Sequence, residues 1–166
     1  MLIVAETPRL IVRTWHEKDL KAYGRLIGQE SVSERFSEDG PASRAETELW
    51  RYQLELDKRG WSRWAVVLRE TSSLIGYCGF APYGDDVEIS WCFIKDHRGR
   101  GLVMEAVKAV TTLGFDRLGF RKIITFAASD NEFSRGIIQK LGMSLDRFEG
   151  WNNLTVARYS LSSADG

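Results

Sequence analysis

Val87-Glu-Ile-Ser-Trp-Cys-Phe-Ile-Lys95 runs through Asp96-His97-Arg98-Gly99-Arg100-Gly101 into Leu102–Leu118. The first stretch reads as a largely apolar strand, entered through the turn Gly84-Asp85-Asp86. The last reads as a helix whose Val103, Ala106, Val107, Val110 and Leu113 face inward. A glycine-rich turn between strand and helix leaves several backbone N–H groups unpaired at the positive end of the helix dipole, a ready anion site. Gly99 and Gly101 lack a Cβ, so the chain turns tightly and a phosphate can approach the amides. Arg98 and Arg100 add charge-assisted donors. The segment asks for a phosphate.

Two common phosphate-binding patterns do not fit. A dinucleotide fingerprint needs a third glycine or alanine where this chain has Met104, and the Gly-Lys-Ser/Thr of a P-loop never occurs.

Working outward, the chain reads as a mixed α/β order. Strands are expected at Leu10–Arg13, Arg63–Glu70, Leu74–Phe80, Val87–Lys95 and Lys122–Ala128, with a closing hairpin of Met143–Glu149 and Leu154–Leu161. Helices are expected at Glu17–Gly28, Ser43–Lys58, Leu102–Leu118 and Glu132–Leu141, the second opened by the capping-box pattern Ser43-Arg-Ala-Glu46. No internal repeat, low-complexity stretch or linker interrupts them, so residues 1–166 read as a single domain.

Composition sets limits. The 166 residues are 43% hydrophobic, enough for a real core. Lys+Arg and Asp+Glu both number 23, so no gross charge bias points to nucleic acid or membrane. Cys78 and Cys92 stand alone in apolar runs and read as reduced core residues, with no metal-like cluster. The apolar run Met1–Ala5 is far too short for a signal peptide or a membrane span. The expectation is a soluble, cytoplasmic protein.

The loop also resembles the acyl-CoA loop of the GCN5-related N-acetyltransferases (GNAT), Gln/Arg-x-x-Gly-x-Gly/Ala, with Arg98, Gly101 and Val103 in those places. Val103 departs from the Gly or Ala of that pattern. The wider chain resembles the RimJ/RimL-type branch, which includes ribosomal-protein N-terminal acetyltransferases. The matching segments are Thr7-Pro-Arg-Leu-Ile-Val-Arg13, Trp64–Arg69, Leu74–Gly79, Val87–Trp91, Gly99–Gly101 with Glu105-Ala106, and Asn131–Ser134 leading to Lys140–Met143. Their order is the family's.

The resemblance implies an α/β (α+β) fold: a mixed, mostly antiparallel twisted sheet of about seven strands, flanked by four helices. It implies that Val87–Lys95 and Lys122–Ala128 splay apart to admit acyl-CoA. Pantetheine would then pair with backbone near Trp91, Cys92, Phe93 and Ile94, and pyrophosphate would sit on the amides of Arg98, Gly99, Arg100, Gly101, Leu102 and Val103. Asn131 is either a further cofactor contact or an N-cap. The implied reaction moves an acetyl group from acetyl-CoA to a primary amine by direct attack, releasing coenzyme A, with no metal.

That chemistry needs three things. An aliphatic ammonium titrates at about 10 and an α-amino group at about 8, so the amine must first lose a proton. Glu88, beside the implied acetyl position, is the candidate base, its pKa expected to rise with burial. A structural or solvent-facing Glu88 beside Asp85 and Asp86 is the other reading. A backbone N–H near Cys92 or Phe93 would stabilise the carbonyl oxygen. The departing thiolate needs a donor; many relatives use a Tyr where this chain has Ile138, and the RimJ/RimL-type branch implies Ser134 instead. Ser134 reads equally as a capping or packed residue. Cys92 as an acyl carrier is disfavoured by its apolar strand.

The acceptor mouth is expected between the first two helices, their loop around Glu30–Pro41 and the turn Gly150–Asn153, where Glu30, Glu34, Glu38 and Asp39 would draw a cationic amine. A protein N-terminus, an amino acid, a polyamine or a drug-like amine all fit, as do a monomer and a homodimer. The alternatives to an enzyme are a non-catalytic acyl-CoA-binding module and a protein interaction domain.

Overall fold

The computed structural model describes residues 1–29, 41–128, 130–151 and 153–164. The loop carrying Glu30, Glu34, Glu38 and Asp39 lies outside them.

Among the described residues, eight strands form one sheet in the order β1-β2-β3-β4-β5-β6-β8-β7. They are β1 Ile3–Glu6, β2 Leu10–Arg13, β3 Arg63–Leu68, β4 Ser73–Tyr83, β5 Asp86–Phe93, β6 Lys122–Ala128, β7 Ser144–Trp151 and β8 Leu154–Ser162. Four helices flank it: α1 Leu20–Gly28, α2 Pro41–Arg59, α3 Leu102–Asp116 and α4 Glu132–Leu141. Every strand pair is antiparallel except β5–β6. The expected architecture is present, with the terminal Ile3–Glu6 run added as a strand on β2. Helix α2 begins at Pro41 rather than Ser43, proline being well suited to a first helical position.

Strand alternation sends side chains to two faces. Leu10, Val12, Trp64, Val66, Ile75, Cys78, Phe80, Ile89 and Phe93 pack with Leu102, Val103, Ala106, Val107 and Val110 of α3. On the other face, Cys92 and Tyr77 pack with Tyr23, Leu26 and Ile27 of α1 and Ala45 and Tyr52 of α2. Each fully buried aliphatic side chain contributes about 1.5–3 kcal/mol, so the α3 face is the principal anchor of the helix that follows the glycine turn. Helix α4 closes a smaller cluster in which Ile138 meets Ala127 and Met143.

Candidate active site

Strand β5 is held firmly on one side only. The Ile94 N–H donates to the Ile75 carbonyl at 2.8 Å, extending the β4–β5 ladder. In an antiparallel pair, alternate residues bond to the same neighbour. Cys92 and Ile94 therefore turn their backbone groups to β4, whereas Trp91 and Phe93 turn theirs the other way. On that side β6 is in register at Glu88↔Ile124 alone, reinforced by the Thr125 hydroxyl donating to the Ile89 carbonyl at 2.8 Å. Beyond that point no β6 residue pairs with β5 among the described residues. The two strands splay as expected, and the backbone facing the slot is that of Trp91 and Phe93. The Cys92 N–H is directed into the ladder, so of the backbone amides on this strand those of Phe93 and Trp91 are the ones that face the slot.

The loop at the end of β5 is similarly under-bonded. After a 3-10 turn at Lys95–His97, the Arg98 N–H donates to the Lys95 carbonyl at 3.1 Å, so this amide is already committed. Gly99 (φ +87°) and Gly101 (φ +77°) take the left-handed conformation that glycine permits. Among the described residues, the amides of Gly99 to Met104 make no backbone hydrogen bond, leaving a nest at the N-terminus of α3. Val103 does not obstruct it: its methyl groups lie in the core and the residue is 2% exposed. The Arg98 guanidinium sits 5.8 Å from the Phe133 ring centroid, joining the loop to the first turn of α4 across the slot.

Glu88 projects from β5 on the α1–α2 side of the sheet, its side chain 17% exposed. Burial pushes its carboxyl above the usual range, and the Arg63 guanidinium, 3.6 Å away, pulls it partly back. Arg63 was not legible as a site residue. Its Nε donates to the Ser90 hydroxyl at 2.7 Å and its Nη1 to the Tyr52 hydroxyl at 3.4 Å, and it lies over the Tyr52 and Tyr77 rings. The Tyr52 and Tyr23 hydroxyls are 2.8 Å apart, and Tyr23 donates to Glu48, itself paired with Arg44 at 2.9 Å. Burial drives the Tyr23 phenol far above its usual range. The Trp15 indole donates to the Arg63 carbonyl at 2.9 Å. A polar and aromatic network thus runs from Glu88 to α1 and α2, and only a pairing of distant segments assembles it.

On α4, Asn131 is the N-cap: its Oδ1 accepts from the Ser134 N–H at 3.1 Å. The Ser134 hydroxyl has no hydrogen bond within the protein among the described residues, and Ser134 is half-buried. Ile138, where many relatives carry Tyr, is fully buried against Ala127 and Met143 and cannot reach the slot.

The remaining candidates fall away. Cys78 and Cys92 are buried and unbridged, Cys92 packed among α1 and α2 side chains, and burial holds the Cys78 thiol far above its ordinary value. His16 closes a capping box, accepting from the Lys18 N–H while its own N–H donates to Asp19. Among the described residues no group of His, Cys, Asp and Glu is arranged for a metal, and no helix is long and apolar enough to cross a membrane.

A model of the GNAT acetyltransferase domain matches residues 9–144. The uncharacterized N-acetyltransferase YoaA of Bacillus subtilis (strain 168) is 30% identical over 151 residues, covering 86% of this chain and 83% of the relative. The crystal structure of an acetyltransferase from Agrobacterium tumefaciens str. C58 superposes with a TM-score of 0.80 at 21% identity, covering 95% of this chain and 93% of that one. RimL, a ribosomal L7/L12 alpha-N-protein acetyltransferase in complex with coenzyme A, gives 0.77 at 17% identity, covering 97% and 98%. These last two likenesses carry the fold. The matched domain and the B. subtilis relative carry the family: this chain belongs to the GNAT acetyltransferases and is an acyl-CoA-dependent N-acyltransferase.

Proposed function

We propose that this enzyme moves an acetyl group from acetyl-CoA to the primary amine of a protein N-terminus, an amino acid, a polyamine or a drug-like molecule, as a RimJ/RimL-type member of its family. The observation that carries the cofactor assignment is a pair of unpartnered backbone sets at one end of β5: the groups of Trp91 and Phe93 that face away from β4, and the amides of Gly99–Met104 in the loop that follows. The first pair suits the amides of a pantetheine arm, and the second a pyrophosphate. When bound, the thioester supplies the activated acetyl group.

The chain's own residues do the rest. Glu88, as carboxylate, takes one proton from the ammonium, directly or through water, and leaves a lone pair free to form the C–N bond. The Phe93 or Trp91 N–H stabilises the charge that builds on the carbonyl oxygen. As the C–S bond breaks, the Ser134 hydroxyl hydrogen-bonds the departing thiolate. A hydroxyl is a weaker acid than a thiol, so it stabilises the thiolate without protonating it. The second proton, shed by the nitrogen as the amide forms, passes through solvent to the thiolate, and Glu88 returns its own proton to solvent. Arg63 holds Glu88 towards the ionised form without bonding tightly enough to replace the amine.

Thermal unfolding with acetyl-CoA, with CoA and with NADP tests the cofactor. Binding at a hundredfold excess over Kd adds about 2.7 kcal/mol, a shift of a few degrees. A shift with both CoA species and none with NADP is expected, and thiol release across a panel of amines then identifies the acceptor. No shift with either CoA species overturns the reading.

A further inference from the structure

The turn joining β1 to β2 reaches across the molecule and takes hold of the glycine loop. Thr7 Oγ donates to Glu105 Oε2 at 2.5 Å and accepts from the Leu10 N–H at 3.0 Å. The Arg9 N–H donates to Glu105 Oε2 at 3.1 Å, and Arg9 Nε to Glu105 Oε1 at 2.9 Å. Arg9 Nη1 then donates to the Arg100 carbonyl at 2.9 Å. Glu105 lies in the first turn of α3, and its N–H bonds the Gly101 carbonyl at 3.0 Å. One guanidinium therefore bridges the helix and the loop that precedes it.

The consequence follows from peptide geometry. In a trans peptide the C=O and the following N–H point in opposite directions. The Arg100 carbonyl faces Arg9, so the Gly101 N–H faces away from Arg9. Gly101 at φ +77° has little intrinsic preference for that arrangement, so something outside the loop must hold it. We infer that Arg9 and Glu105 are positioning residues for cofactor binding: their clamp on the Arg100 carbonyl aims the Gly101 amide at the pyrophosphate of acyl-CoA. The inference rests on the acyl-CoA reading above.

A planar fork is needed to serve both acceptors, and lysine cannot replace it. Arg9→Lys keeps a cation beside Glu105 but loses the second bond, to Arg100. Calorimetric titration with CoA is expected to show about a tenfold weaker Kd for Arg9→Lys and for Arg9→Ala. The unfolding temperature of the Lys variant without ligand should stay within about a degree of wild type. Pantetheine, which lacks the pyrophosphate, should bind all three proteins alike.

Equal losses for CoA and pantetheine would make the contact a general support of the fold and overturn the clamp. An unchanged CoA affinity in Arg9→Lys and Arg9→Ala would overturn it too, while leaving the acyl-CoA reading intact. Wild-type protein that binds no CoA would sink both.

Discussion

Arg63, at the start of β3, places its guanidinium 3.6 Å from the carboxylate of Glu88 on β5, although β4 lies between the two strands. The pair spans β4 because both side chains stand on the face that α1 and α2 cover. Two opposing effects meet on Glu88: burial raises its pKa and Arg63 lowers it. A base for an amine near neutral pH benefits from that balance.

If Glu88 is the base, activity rises with pH as it ionises, on a limb above the ordinary carboxylate range. Glu88→Gln should lower kcat by roughly 10²-fold or more and abolish that limb. Arg63→Leu removes the charge that favours ionisation, so the limb should move to higher pH. Profiles of kcat/KM for the three proteins decide the matter; a wild-type profile in Glu88→Gln excludes the role.

Asn131 and Ser134 separate by readout. Asn131→Ala removes the helix cap and should cost about 1 kcal/mol of stability. Ser134→Ala leaves that cap in place, because Asn131 bonds the Ser134 backbone N–H. It should lower kcat while leaving the unfolding midpoint unchanged. A Ser134→Ala protein with undiminished kcat removes the thiolate role.

Gly76→Ala should damage the slot from behind. A Cβ there would lie 2.4 Å from the Cys92 carbonyl and 2.7 Å from the Phe93 ring, so β4 and β5 must part. A stability loss of about 3 kcal/mol is expected, within the range of core overpacking, together with weaker CoA binding. Urea unfolding measures the first and calorimetry the second.

The Arg13–Asp19 pair anchors the entry to α1 and supplies a pH-dependent part of the stability. Its two bonds are 2.7 and 2.9 Å, and the His16 N–H adds a third at 2.8 Å. Burial acts to raise the Asp19 pKa, but these bonds outweigh it and hold the carboxyl below its usual range. A depressed carboxylate stabilises the fold above its unfolded-state pKa, and that contribution disappears as pH falls through the folded value. Asp19→Asn should cost about 2 kcal/mol at pH 7, somewhat below the range for breaking a fully buried pair. In urea titrations the gap from wild type should close towards pH 3; a gap independent of pH contradicts the linkage.

Much of this fold is legible along the chain because its determinants are short-range. The period of Val103, Ala106, Val107 and Val110 specifies α3, and Gly99 and Gly101 mark the turn whose left-handed backbone other residues rarely adopt. The placement of Asn131 before α4 and the isolation of both cysteines in apolar runs are equally local. Strand β1 escaped because Ile3–Glu6 is a four-residue, half-exposed edge, recognisable only once β2 pairs with it.

What the sequence by itself determined is the order of elements from β2 onward, the anion-seeking turn and the resemblance that names the chemistry. Tertiary structure alone decided which groups face the slot. Local pattern does not say that β5 is bonded on its β4 side, so it left Cys92 and Phe93 equivalent as amide donors; the Ile94–Ile75 bond separates them. Nor does it bring Arg63 to Glu88, or Arg9 to a glutamate 96 residues away. Those contacts form between side chains whose elements are aligned by strand register and core packing, and no local propensity records that alignment.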